Sequence, residues 1–346
     1  MGGAMRRLLA LAVLATSSAA LAQGTPKPLF GSDAPIRVSI QGPVNSIARK
    51  AARSVEPEAA TLSMTMPAES HPIRLSARGL SRRTGGICDF PPLRVEFAQP
   101  PAATSLFQGQ RRLKLVTHCK SSAGHQQHVL MEYSAYRLLN QLTPLSHKVR
   151  LATVDYAEPS GKVSISRWGF FIEDLDDLAK RNGLSEARVG NRISASQLDP
   201  AHAARTALFM YMVGNLDWSM RAGPQGEGCC HNSRLLSGGA ALVPVAYDFD
   251  YSGLVDAPYA VPPEQVRVRN VRQRKYMGYC RHNNAVVAAA AEFRARRPAL
   301  EAVYSQVPGL SEGTRRKALS YLGSFFGDIA SDAAVRANLL KDCMGG

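Results

Sequence analysis

The chain has 346 residues, six cysteines and a formal net charge of +15. That length suits one large two-lobed domain or two domains, either of which buries a full core. The positive surplus favours acidic partners, such as phosphorylated ligands, anionic envelope polymers or an acidic protein. The basic residues are scattered rather than blocked together, which argues against nucleic acid as a partner.

Residues 1–22 read as a secretory signal peptide. Arg6 and Arg7 precede the apolar run Leu8 to Ala15, and Ala20-Leu21-Ala22 gives a small-x-small cleavage pattern before Gln23. The apolar run is too short for a membrane span, and no later stretch approaches about 20 continuous apolar residues. The expectation is an exported protein, periplasmic or secreted, without a transmembrane segment. All six cysteines lie beyond the leader, in a compartment where disulfides persist, and no C-x-x-C or H-x-x-x-H pair suggests zinc.

Residues 23–66 are rich in Ala, Pro and Ser and read as a flexible lead with one early strand at Ile36 to Ile40. From Ile73 to Val116, short apolar alternations separated by Gly, Pro and polar turns predict antiparallel strands. His128 to Leu142 has apolar residues at helical spacing, closed by Pro144. Strands are expected at 148–156 and 164–172, a helix begins at Glu173, and an apolar helix runs from about Pro200 to Val213. Beyond Gly253 the chain reads as a basic loop to about Tyr279, followed by two or three amphipathic helices. This order predicts an α+β, bilobal protein-kinase-like fold. A β-rich N-terminal lobe with one helix would occupy 67–172, and a mainly helical C-terminal lobe 173–346.

The densest signal lies between Gly214 and Gly253. Asp217, Asn232 and Asp248 each stand at the edge of an apolar segment. An Asp, a later Asn and a second Asp supply what phosphoryl transfer requires: a base near the nucleophile and two oxygen ligands for magnesium. Asp248 and Asp250 flank Phe249, so an extended strand would place both carboxylates on one side. There they repel unless a cation sits between them. On the preceding segments, Lys114 lies in an alternating strand and Glu132 on the following helix, the pair that could hold nucleotide phosphates. Neither G-x-G-x-x-G nor the Walker-type glycine loop occurs. Arg78, Gly79 and Ser81, with Thr84-Gly85-Gly86, are the alternative phosphate cradle. Nucleophile elbows and zinc helices are absent, and the acids at 173–177 read as a solvated helix start.

Taken in order, RGLSRR at 78–83, LKLVTHC at 113–119, EYSAYRLLNQLT at 132–143 and the D…HN…YDFD set resemble the spore coat protein H (CotH) family of atypical secretory kinases and, more distantly, HipA-type kinases. The resemblance covers roughly 74–253. It implies that Asp217 orients a substrate hydroxyl, that Asn232 and Asp248 hold metal with help from Asp250, and that His231 positions the loop. The segment from Arg221 to Cys230 is longer than such a loop usually is. Vicinal Cys229 and Cys230 are expected to bond to separate parts of the chain, one of them stapling this insert. The expected activity is transfer of the γ-phosphoryl of ATP or another nucleotide, with magnesium, to a protein or envelope hydroxyl. The alternative is a catalytically silent protein of the same fold that docks an anionic polymer or protein.

Overall fold

The computed structural model describes residues 24–83 and 86–345, so the segment read as a signal peptide, together with Thr84-Gly85, lies outside the described residues. The first half is built of strands β1 (Ile36–Gln41), β2 (Glu58–Thr65), β3 (Ala68–Ala77), β4 (Leu93–Phe97), β5 (Arg112–Val116), β6 (Val149–Ala157) and β7 (Val163–Ile172). Helix α1 (Val44–Lys50) joins β1 to β2, and the long helix α2 (Ala123–Leu142) joins β5 to β6. These seven strands close into a barrel in the order β1-β2-β3-β4-β5-β7-β6. Closure comes from β1, which pairs antiparallel with β2 on one side and parallel with β6 on the other.

The bilobal kinase-like arrangement expected from the sequence is therefore overturned. The segment read as a flexible lead supplies two strands and a helix, and β1 seals the sheet edge that an open lobe would leave. The alternation of each strand explains why closure is favourable: Val38, Ile40, Leu62, Leu75, Val95, Leu113, Leu115, Val154 and Phe171 meet in one interior cluster. A closed barrel also removes the unpaired edge donors and acceptors of an open sheet.

Strands β5, β6 and β7 are apolar on both faces. Their outward residues Val116, Val149, Leu151, Phe170 and Ile172 join a second cluster with Leu130, Tyr133, Leu138 and Leu142 of α2. This cluster continues into the helical second half through α4 (Pro200–Val213), α5 (Asn283–Ala295), α6 (Arg297–Val303), α7 (Glu312–Asp328) and α8 (Asp332–Asn338), whereas α3 (Leu175–Arg181) packs Leu178 and Ala179 into a separate small cluster with Leu236 and Val245. A small sheet of β8 (Ser185–Glu186), β9 (Ser233–Ser237) and β10 (Val243–Ala246) lies among them in the order β10-β9-β8. Among the described residues no helix is long and apolar enough to cross a membrane.

Three disulfides link Cys88 to Cys119, Cys229 to Cys230 and Cys280 to Cys343. The expectation for the vicinal pair is corrected: the other four cysteines satisfy one another, so Cys229 and Cys230 are each other's partner rather than long-range staples.

Candidate functional site

Two loops carry the site, and the end of α4 fixes the first. Asp199 caps the start of that helix by accepting from the His202 amide, and Pro200 occupies its first turn. Gly214 ends it at φ +65°, where an added Cβ would lie 2.0 Å from the Tyr321 hydroxyl oxygen. A side chain at this position is excluded by both backbone conformation and space. The next residue, Asn215, is buried and links the two loops. Its Oδ1 accepts from the Asp217 amide at 2.9 Å, and its Nδ2 donates to the Asp248 carbonyl at 3.1 Å.

The long insert returns to its starting point. Ser219 and His231 exchange two backbone hydrogen bonds, of 2.9 and 3.1 Å, so residues 220–230 form an excursion that restores Asn232 to the neighbourhood of Asp217. Asn232, at φ +45°, donates from Nδ2 to the Asp217 carbonyl at 2.6 Å and to Asp217 Oδ2 at 3.2 Å. His231 Nε2 lies 2.8 Å from Asp217 Oδ1. This hydrogen bond outweighs partial burial and pushes the imidazole pKa up. The Asp217 carboxylate is thus held from both ends.

The second loop leaves β10 through Tyr247. Asp248 has φ +64° and donates its amide to the Tyr136 hydroxyl of α2 at 3.0 Å. It does not continue the strand, which ends at Ala246, so the alternating-strand geometry expected for Asp248 and Asp250 is corrected. The two side chains nevertheless hydrogen-bond to each other. Asp250 is buried and accepts from the Tyr259 hydroxyl at 3.1 Å. Burial, then the neighbouring Asp248, pushes its pKa up to about 7.

Glu132 of α2 is a neighbour of the same two acids. Burial first, then Asp250, drives its pKa well up. The guanidinium of Arg82, itself buried, lies 3.8 Å from Glu132, donates to the Thr117 carbonyl at 2.6 Å and stands over the Tyr259 ring. Burial opposes its charge, but Tyr259, Asp250, Glu132 and Asp248 together raise its pKa. The two ends of this pair pull differently: Arg82 is held charged while Glu132 is driven toward its protonated form. Both follow from one cation facing two buried carboxylates, Glu132 and Asp250, and the half-buried Asp248, which cannot all ionise at ordinary cost.

Lys114 does not form the expected ion pair with Glu132, because Arg82 occupies that position. Lys114 instead lies 5.7 Å above the Tyr247 ring, and Arg234 of β9 lies 5.6 Å from the same ring. Burial, then the proximity of Arg78, lowers the Lys114 pKa to about 8. Gly79 adopts φ +75° with open space where a Cβ would project, and its carbonyl accepts from Arg83. Ser81 hydrogen-bonds to Tyr251. A cleft of about 670 Å³ lies beside Arg112, Asp174 and Asp177, and none of the Asp248 cluster lines it.

The donor set suits a hard cation. Glu132, Asp248 and Asp250 offer carboxylate oxygens, and Asn232, having spent its amide hydrogens on Asp217, keeps Oδ1. Among the described residues no three His, Cys, Asp or Glu side chains form a complete metal cage. Magnesium rarely needs one, since it is usually held by one or two carboxylates together with waters and substrate phosphates. Sequence reasoning passed over Arg82, Asn215, Tyr259 and Arg234, although Arg82 and Asn215 lie within motifs it had singled out. No protein-family model and no curated protein matches the chain, so the site stands on its own geometry.

Proposed function

We propose that the chain is an exported, magnesium-dependent phosphotransferase that moves the γ-phosphoryl of a nucleotide to a hydroxyl of a protein or envelope component. The single observation that carries this reading is the link through Asn215, which ties the Asp217–His231–Asn232 group to the loop of Asp248 and Asp250. A positioned carboxylate thereby neighbours an oxygen-rich, charge-crowded cluster and a group of cations without ion-pair partners. These side chains, rather than the discarded bilobal fold, support the reaction.

In this reaction the substrate hydroxyl oxygen forms a bond to the γ-phosphorus as the bond from phosphorus to the β,γ-bridging oxygen breaks. The hydroxyl proton passes to Asp217, and the nucleoside diphosphate leaves. His231 and Asn232 hold the Asp217 carboxylate in one orientation, so little reorganisation is needed as the proton arrives. Magnesium, held by Asp248, Asp250 and Asn232, would neutralise phosphate charge. The positive charge of Arg82 favours the ionised forms of Glu132 and Asp250. Lys114 would meet phosphate oxygens.

Purified mature protein incubated with γ-labelled ATP and magnesium should incorporate label into itself or an added envelope extract. EDTA and the Asp248→Ala and Asp217→Asn variants should each abolish it. Label transfer no greater than that of Asp248→Ala would end the enzymatic reading.

A further inference from the structure

We propose that Lys114 and Arg234, both set against the Tyr247 ring, form together with Arg78 an oligophosphate-binding site of which Arg234 is the outer member. This assignment rests on the phosphotransferase reading and names the ligand chemistry of its cationic side.

The three cations come from separate parts of the fold: the residue just after β3, the middle of β5 and the second residue of β9. Their proximity is therefore a product of tertiary structure rather than of a local basic run. Lys114 and Arg234 lie 5.7 and 5.6 Å from the centre of the same ring, and the field of Arg78 reaches Lys114 and Tyr247. Among the described residues, none of the three has a hydrogen-bonded or ion-paired side-chain partner. The carboxylates that reach Lys114 electrostatically are Asp174 and Asp248. Asp174 already accepts from the Asp176 amide and pairs with Arg112.

Like charges assembled with their donors unspent are costly unless an anion joins them. Two guanidinium forks and one ammonium offer many more N–H donors than a single carboxylate can accept, whereas a chain of phosphates can engage them all. The exposure gradient gives the site a direction: Arg78 and Lys114 are half-buried, and Arg234 is exposed. Arg234 is nonetheless held in register, because β9 pairs it with Val245, two residues before Tyr247. Tyr247 in turn adjoins Asp248. An oligophosphate would thus run from the carboxylate pocket outward to Arg234.

The test is calorimetric titration of the full mature protein in EDTA with tripolyphosphate, ATP and inorganic phosphate, at one fixed ionic strength. Arg234→Gln and Arg78→Gln should each weaken tripolyphosphate and ATP about tenfold or more, as loss of a charge-assisted hydrogen bond predicts. Arg267→Gln, which removes an equal charge from an exposed loop, should change neither. Tripolyphosphate affinity left intact by Arg234→Gln overturns the inference, as does an equal loss in Arg267→Gln, which would mark diffuse charge attraction. Binding of ATP without tripolyphosphate also overturns it, because recognition would then reside in the nucleoside. In each of these cases label transfer decides the phosphotransferase reading separately. The melting temperature of each variant shows whether it is folded.

Discussion

Removing Arg82 should cost stability in a strongly pH-dependent way. At 3.8 Å and an effective dielectric near 20, the attraction between its guanidinium and an ionised Glu132 is about 4 kcal/mol. This agrees with the roughly 3–5 kcal/mol lost when one partner of a buried pair is deleted. The carboxylates have an escape, however, since they can take up protons instead of remaining as uncompensated charges. Glu132 and Asp250 are already pushed up toward that state, and loss of Arg82 raises them further. Arg82→Met should therefore destabilise the protein by about 4 kcal/mol near pH 8. Near pH 5 the loss should shrink to about 1–2 kcal/mol, the share of the broken hydrogen bond to Thr117. Guanidinium denaturation in EDTA at the two pH values measures both numbers. Adding Glu132→Gln should restore most of the loss near pH 8, because the second change removes the orphaned charge. Equal losses at both pH values, or strictly additive losses in the double variant, would refute the picture of a shared cation.

The same reasoning extends to neighbouring groups. The folded-state pKa of Asp250 is raised to about 7 from 3.8, so the folded form holds a proton that the unfolded chain has lost. Stability should fall as pH rises through that window, and in EDTA Asp250→Asn should flatten the fall while abolishing stabilisation by added magnesium. The His231 imidazole is raised by its hydrogen bond to Asp217; Asp217→Asn should lower its pKa, read by NMR titration of the ring protons. Replacing Cys280 and Cys343 together by Ser opens a loop with a sequence separation of 63. Loop-closure entropy predicts a loss of about 4 kcal/mol in the denaturation free energy.

Much of the fold was legible where patterns are local. The strands around β3 to β7, helix α2 and the span of α4 follow from alternation, helical spacing and caps. Strand β2 was not legible, because only Leu62 and Met64 of its eight residues are buried and its flanks resemble a polar lead. Without β2, and with no local sign that β1 lies parallel to β6, an open lobe was the natural expectation. The site divides in the same way. Asp217, Asn232 and Asp248 stood out because each borders an apolar run. The partner of Glu132 did not, since a strand lysine and an arginine from the 81–83 turn are equally cationic and only the folded chain decides between them. Likewise, nothing local shows that an eleven-residue excursion returns to its base, which the Ser219–His231 bridge accomplishes.

The parallel seam of the barrel bears on how the molecule is made. Ile36 must find Ala152, roughly a hundred positions further along, before the sheet can close, and such distant pairings are slow because their entropy is lost before their contacts form. If the chain is exported, as proposed above, and crosses the membrane N-terminal part first, it presents β1 and β2 to the far side well before β6 emerges. Until then the interior-facing row of Val38, Ile40 and Leu62 has no lid. Holdase chaperones in the receiving compartment would meet the polypeptide at this stage, and slower delivery of the middle third would prolong their engagement.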